Sequence, residues 1–124
     1  PVGHYYAGKT KTSLAQAVSF AQNFPDLKII LAHWGGGLFF YESMKEVRQD
    51  LARVYYDTAA SVFLYRHQVY DVVKALDLTD KILFGSDFPL LPPQRYQGDL
   101  ERSSLSDPDK EAILGGNARR LLSL

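Results

Sequence analysis

Lys28-Ile-Ile-Leu-Ala32, running directly into His33-Trp34-Gly35-Gly36-Gly37, is the stretch that decides the fold of this chain. The run is short, apolar and uninterrupted. A strand with one wet face alternates polar and apolar residues, whereas a strand covered on both faces does not, and such strands belong to parallel sheets. Upstream, Leu14, Ala17, Val18 and Ala21 recur at i, i+3, i+4 and i+7, which predicts a helix over residues 12–23. Thr12 or Ser13 can cap it, and Phe24-Pro25 ends it, because a residue before proline is pushed out of the helical region. Downstream, Phe40, Met44, Val47 and Leu51 predict a second helix, and Val54-Tyr55-Tyr56-Asp57 a second strand. Val69, Val72, Val73 and Leu76 mark a third helix. Lys81-Ile82-Leu83-Phe84 is a third strand, leading to Gly85-Ser86-Asp87-Phe88-Pro89. Pro92 and Pro93 make residues 90–94 a loop, and residues 95–105 read as a short helix. Asp107 is expected as an N-cap with Pro108 at the first helical position. That helix should break at Gly115-Gly116, with Asn117 capping the last piece.

Strand starts at Lys28, Val54 and Lys81 lie 26 and 27 residues apart. This is βα-unit spacing, close to the ~31 residues per unit of a ~250-residue eight-unit barrel. Three units cannot close a barrel. The chain therefore reads as α/β, either a small open sheet or part of a (β/α)8 barrel, in a single domain over residues 1–124. Apolar residues at 46% and charged residues at 23% match folded globular chains. A net charge of +0 argues against nucleic acid as a partner. No run of 18 apolar residues is present, so no membrane span is expected. The absence of cysteine removes disulfides, zinc-thiolate sites and cysteine nucleophiles, and fits a reducing, cytoplasmic setting. The start at Pro1, without a signal-peptide pattern, suggests a trimmed chain.

Three polar residues end the three strands: His33, Asp57 and Asp87. Functional groups of α/β folds collect at that edge. An imidazole at His33 can move a proton or bind a metal, although a core histidine bonded to a carbonyl is the plainer reading. A carboxylate at Asp87 can bind a metal or take a proton from metal-bound water, or merely shape the next turn. Asp57 reads as structural, closing its strand and satisfying loop amides. His4, beside Gly3 and Tyr5-Tyr6, suits a substrate loop or a frayed terminus. Trp34 can line a pocket or fill the core. His67, Arg119 and Arg120 read as surface. No GxSxG elbow occurs.

These segments resemble the C-terminal part of the amidohydrolase-related (amidohydrolase 2) family. That group holds metal-dependent hydrolases and nonoxidative decarboxylases of the aminocarboxymuconate-semialdehyde decarboxylase type. The resemblance rests on Phe24-Pro-Asp-Leu-Lys-Ile-Ile-Leu-Ala-His-Trp-Gly-Gly36, Val54-Tyr-Tyr-Asp-Thr58, Lys81-Ile-Leu-Phe-Gly-Ser-Asp-Phe-Pro89 and Ile113-Leu-Gly-Gly-Asn-Ala-Arg-Arg-Leu-Leu122. It implies the last three units of a (β/α)8 barrel, with His33 ending strand 6 and Asp87 ending strand 8. It implies a divalent metal, commonly zinc, in the full-length parent. By the same resemblance His33 is the catalytic acid/base or electrophile, in some members a ligand. Asp87 is a metal ligand that can also handle the water proton. His4 and Trp34 are then candidate substrate contacts. The family's His-x-His motif is absent from this sequence, and one carboxylate cannot hold a catalytic zinc that wants about three protein ligands. The chain alone is thus expected to hold no stoichiometric metal.

The resemblance implies a metal-dependent hydrolase acting on a small carbonyl-containing substrate. Nonoxidative decarboxylation is the alternative, and a non-catalytic half-barrel remnant a third reading. Open strand edges and an uncovered sheet face predict a homo-oligomer.

Overall fold

Three parallel strands in the order β1-β2-β3 carry the architecture in this computed structural model, which describes Tyr5, Ala7, Lys9 and residues 11–124. The strands are β1 (Ile29–Leu31), β2 (Val54–Asp57) and β3 (Ile82–Leu83). Ile29 pairs with Val54, Leu31 with Tyr56, Tyr56 with Ile82 and Asp57 with Leu83. This register puts Val54, Tyr56 and Ile82 on one face, where all three are buried. Ile30, on the opposite face, is 46% exposed. The continuous apolar reading of β1 predicted cover on both sides; the described residues cover only one completely. All three strand positions match the expectation, with β1 and β3 trimmed at both ends.

Helix α1 (Leu14–Asn23) opens on Ser13, whose hydroxyl accepts the Gln16 amide while Gln16 Oε1 accepts the Ser13 N–H, a reciprocal capping box. It ends at Phe24, as the following proline requires. The expected second helix is broken. Residues His33–Ser43 form a tight coil, Met44 turns extended (φ −87, ψ 123), and α2 covers only Lys45–Asp50. Phe40 and Met44 are consequently exposed rather than sharing a face with buried Leu51. A short α3 (Ser61–Leu64), which residue periodicity did not show, precedes α4 (Val69–Ala75). In the tail, α5 (Gln97–Arg102) is followed by α6 (Asp107–Glu111), whose N-cap is Ser106 and not Asp107, with Asp109 completing a second capping box. The expected break falls at Gly115, whose backbone leaves the helical region (φ 176, ψ −25), and across this kink Ala112–Gly116 leads from α6 to α7 (Asn117–Leu122). Asn117 is buried and caps nothing. Its Nδ2 donates to the Thr79 and Ile82 carbonyls, tying α7 to the start of β3. Lys28 Nζ donates to the Leu121 carbonyl and holds the other end of α7.

The core joins Trp34, Leu38, Leu51, Tyr56, Tyr70, Ile82 and Ile113 between the sheet and these helices. Burial holds the phenols of Tyr56 and Tyr70 well above their ordinary value, with the Glu42 charge adding to the effect at Tyr56 and Asp99 at Tyr70. Folded-state values raised above the unfolded value mean stability fully present below about pH 10 and lost as pH rises through it. Lys81 acts oppositely, since burial lowers its value and the unfolded chain then holds its proton longer. The two buried phenols outweigh it. Each removes ~1.4 kcal/mol of stability per pH unit above about 10. Alkaline unfolding followed at 295 nm should show these tyrosines ionising together with loss of helix signal; gradual ionisation of a still-folded chain would contradict the packing.

No helix among the described residues is long and apolar enough to cross a membrane.

Candidate active site at the C-terminal strand edge

The glycine run after β1 builds an unusual backbone. His33, Trp34, Gly35, Gly36 and Gly37 all have positive φ, at 56, 59, 60, 64 and 93 degrees. L-residues resist this left-handed region by roughly 1–2 kcal/mol each. Glycine enters it freely, so His33 and Trp34 carry the strain. Strain of this kind persists only where the surroundings over-determine it, and it concentrates at functional sites.

The surroundings can be named. The Trp34 indole is fully buried, packs against Phe39 and Tyr70 with ring centroids 5.7 and 5.2 Å away, and donates through Nε1 to Ser61 Oγ. The expected substrate contact at Trp34 is therefore corrected: the side chain anchors the turn in the core, pointing away from solvent. Gly35 lies so close to Tyr56 that a Cβ there would sit 2.9 Å from Cδ1 of the ring. Gly35→Ala meets both penalties, the left-handed backbone and the overpacked ring, and should cost ~2–4 kcal/mol. An unfolding free energy from urea titration within about 0.5 kcal/mol of wild type, on the order of a surface substitution, would contradict this geometry.

His33 is gripped on three sides. Its N–H donates to Asp57 Oδ1 at 3.0 Å, its carbonyl accepts the Tyr65 hydroxyl at 3.3 Å, and its Nδ1 lies 2.8 Å from the Ala59 carbonyl. A carbonyl only accepts, so Nδ1 carries a proton, and in the neutral ring Nε2 is then the nitrogen with the lone pair. The ring is half-buried. The carbonyl partner anticipated for a core histidine is thus present, and it leaves the second nitrogen available.

Asp57 does what its sequence position suggested. Oδ1 also accepts the Ala59 N–H at 3.0 Å, so one oxygen holds two loop amides. Thr58 clasps the next strand: its N–H donates to the Leu83 carbonyl, and its hydroxyl bonds both the carbonyl and the N–H of Gly85. Asp87 stands four residues beyond β3 in a left-handed conformation (φ 69), exposed, with its carbonyl accepting from Leu90 and Leu91. Tyr96 lies beneath, donating to the Ser86 carbonyl at 2.9 Å; burial raises its phenol, and the charges of Asp87 and Asp57 both add to the rise. The structure therefore joins His33 directly to Asp57 and sets Asp87 at the next strand end. His4 lies outside the described residues. His67 is half-buried, beside Asp71 rather than fully solvated. Ser61, Tyr65 and the Ala59 carbonyl were not singled out by sequence; only the small-residue run after Asp57 pointed there.

Among the described residues no group of three or more His, Asp or Glu side chains is placed to hold a metal ion. Asp57 has one oxygen committed to amides, and His33 and Asp87 alone fall short of about three protein ligands. These residues do not make a metal site by themselves.

The parallel strands and the helices packed on them define part of a (β/α)8 barrel. The amidohydrolase family model (Amidohydro_2) matches residues 5–124, and the chain belongs to this family. No curated protein matches it. Among solved structures, the chain is similar to a 5-carboxyvanillate decarboxylase from Sphingomonas paucimobilis, at 18% identity and TM-score 0.70, covering 89% of this chain and 39% of that one. It is also similar to a dihydroxybenzoic acid decarboxylase from Polaromonas sp. JS666, solved with bound manganese and the inhibitor 2-nitroresorcinol, at 24% identity and TM-score 0.70, covering 90% and 40%. A third is an amidohydrolase from Burkholderia multivorans with bound zinc, at 20% identity and TM-score 0.66, covering 90% and 49%. At these identities the likeness establishes the fold. The chain spans about two fifths of the length of the two decarboxylases.

Proposed function

We propose that this chain supplies the His33–Asp87 edge of a metal-dependent active site that decarboxylates a small carboxylated substrate without oxidation. The observation that carries it is His33: a strained residue at a strand mouth, with Nδ1–H committed to Ala59 and Nε2 without a hydrogen bond among the described residues. Loss of CO2 leaves an electron pair on carbon, and a proton must be delivered there. Nε2 is the atom of this edge that can take up a proton and hand it on. The decarboxylases among the similar structures support a hydroxylated aromatic acid as the substrate class. Hydrolysis is the second reading, favoured by the family model and the zinc-bound amidohydrolase; there the same nitrogen would take the proton of an attacking water. Asp87 is proposed as one metal ligand from this chain, the others coming from beyond the described residues.

The test uses the protein that carries this chain, loaded with manganese or zinc, against hydroxybenzoates and a panel of esters, lactones and amides. CO2 release from the aromatic acids supports decarboxylation. Hydrolysis alone selects the second reading, and neither activity overturns both. Asp87→Asn should lower bound metal by elemental analysis while the fold persists; unchanged metal removes Asp87 from the ligand set.

A further inference from the structure

We infer that Asp57 is a positioning residue for His33: by accepting two loop amides it fixes the imidazole as the Nδ1–H tautomer, with Nε2 facing the reaction. The inference rests on the proposed proton-transfer role of His33 and assigns no proton or metal to Asp57 itself.

Three hydrogen bonds close a ring. His33 N–H donates to Asp57 Oδ1, Ala59 N–H donates to the same oxygen, and the Ala59 carbonyl accepts from His33 Nδ1. The residue whose carbonyl meets the imidazole is thus tied, through its own N–H, to the carboxylate that holds the histidine's backbone. Asp57 connects the end of β1 to the loop after β2, where His33 and Trp34 enter left-handed geometry without being glycine. With the Ala59 N–H tied, only the φ and ψ of this one residue separate the carboxylate from the carbonyl that takes the imidazole proton. Gly85 lies against the carboxylate from the third strand: a Cβ there would sit 3.4 Å from Asp57 Cγ, in ordinary contact. Tyr65 completes the grip through the His33 carbonyl. Outer partners that fix a ring's tautomer typically change activity ~10–100-fold when removed.

This role differs from ligation or acid–base work in what substitution does. Asparagine keeps an acceptor oxygen for both amides but loses the charge; alanine loses both. In the protein that carries this chain, labelled with 15N-histidine and held above the imidazole titration range, the His33 ring signals are assigned by their loss in His33→Asn. Wild type and Asp57→Asn should show a protonated Nδ1 and an unprotonated Nε2, with turnover of Asp57→Asn within ~5-fold of wild type. Asp57→Ala should shift the ring toward the Nε2–H form and lower turnover by ~10–100-fold, mainly in kcat. An Asp57→Asn variant as impaired as Asp57→Ala would overturn the inference, because charge would then be the requirement. So would an unprotonated Nδ1 in wild type, or an unchanged tautomer in a folded Asp57→Ala. If Asp57→Ala does not fold, the tautomer and turnover of Asp57→Asn decide alone. The tautomer readout does not depend on catalysis, so retained turnover in His33→Asn would defeat the proton-transfer reading while leaving these spectra to stand or fall separately.

Discussion

With the proposed proton-transfer role, His33→Ala in the protein that carries this chain is expected to lower turnover ~10²–10⁴-fold, the usual worth of a general acid–base group. Alanine also changes the backbone, because His33 sits at φ 56 and alanine tolerates that region less well than histidine or asparagine do. His33→Asn separates the two effects. It keeps a residue suited to the left-handed turn and removes the imidazole, so its melting temperature should stay near wild type while turnover falls as far as in His33→Ala. The fall should appear in kcat, since the nitrogen acts on a moving proton rather than on bound substrate. Wild-type turnover in a folded His33→Asn would return His33 to a structural role as the residue that starts the left-handed turn.

The strand-helix order was legible because it depends on period and length. Short apolar runs starting at Lys28, Val54 and Lys81 read as strands, and their 26- and 27-residue spacing leaves room for helical connections between them. The edge residues followed from the strand ends, and the structural reading of Asp57 followed from its place before small loop residues. What the sequence hid depended on φ angles and on distant pairs. Glycines 35–37 announced a turn but not that His33 and Trp34 would share its left-handed conformation, and that sharing turns the indole into the core. The break at Met44 hid for a similar reason: the 3.6 period continues through Phe40 and Met44 although the backbone does not. Asn117 looked like a cap because asparagine often is one, but two carbonyls 38 and 35 residues away claim its amide. Glu42, among aromatic residues and before Lys45, gave no sign of being buried.

That buried glutamate underlies the largest expected loss of stability. The Glu42 side chain is 0% exposed, and Lys81 Nζ reaches both of its oxygens at 2.7 Å while remaining only 12% exposed. The Tyr56 hydroxyl donates to Oε1 at 2.6 Å, and Lys81 also donates to the Leu51 carbonyl at 2.8 Å. The ammonium thus ties the entry of β3 to the coil after β1 and to the turn before β2. Taking two charges out of water is costly, and their attraction repays it only with such complete bonding. Lys81→Ala leaves a carboxylate in the core with one phenol for company, and the expected cost is ~3–5 kcal/mol, a large share of the ~5–15 kcal/mol that holds a domain folded. Glu42→Gln combined with Lys81→Met should recover most of it: glutamine still accepts from Tyr56, and methionine fills the lysine stem's volume without a charge to bury. Urea unfolding of the single and double variants measures the difference. A Lys81→Ala unfolding free energy within about 1 kcal/mol of wild type, a typical surface effect, would mean that water reaches Glu42 and that the pair lies closer to solvent than the packing around Tyr56 allows.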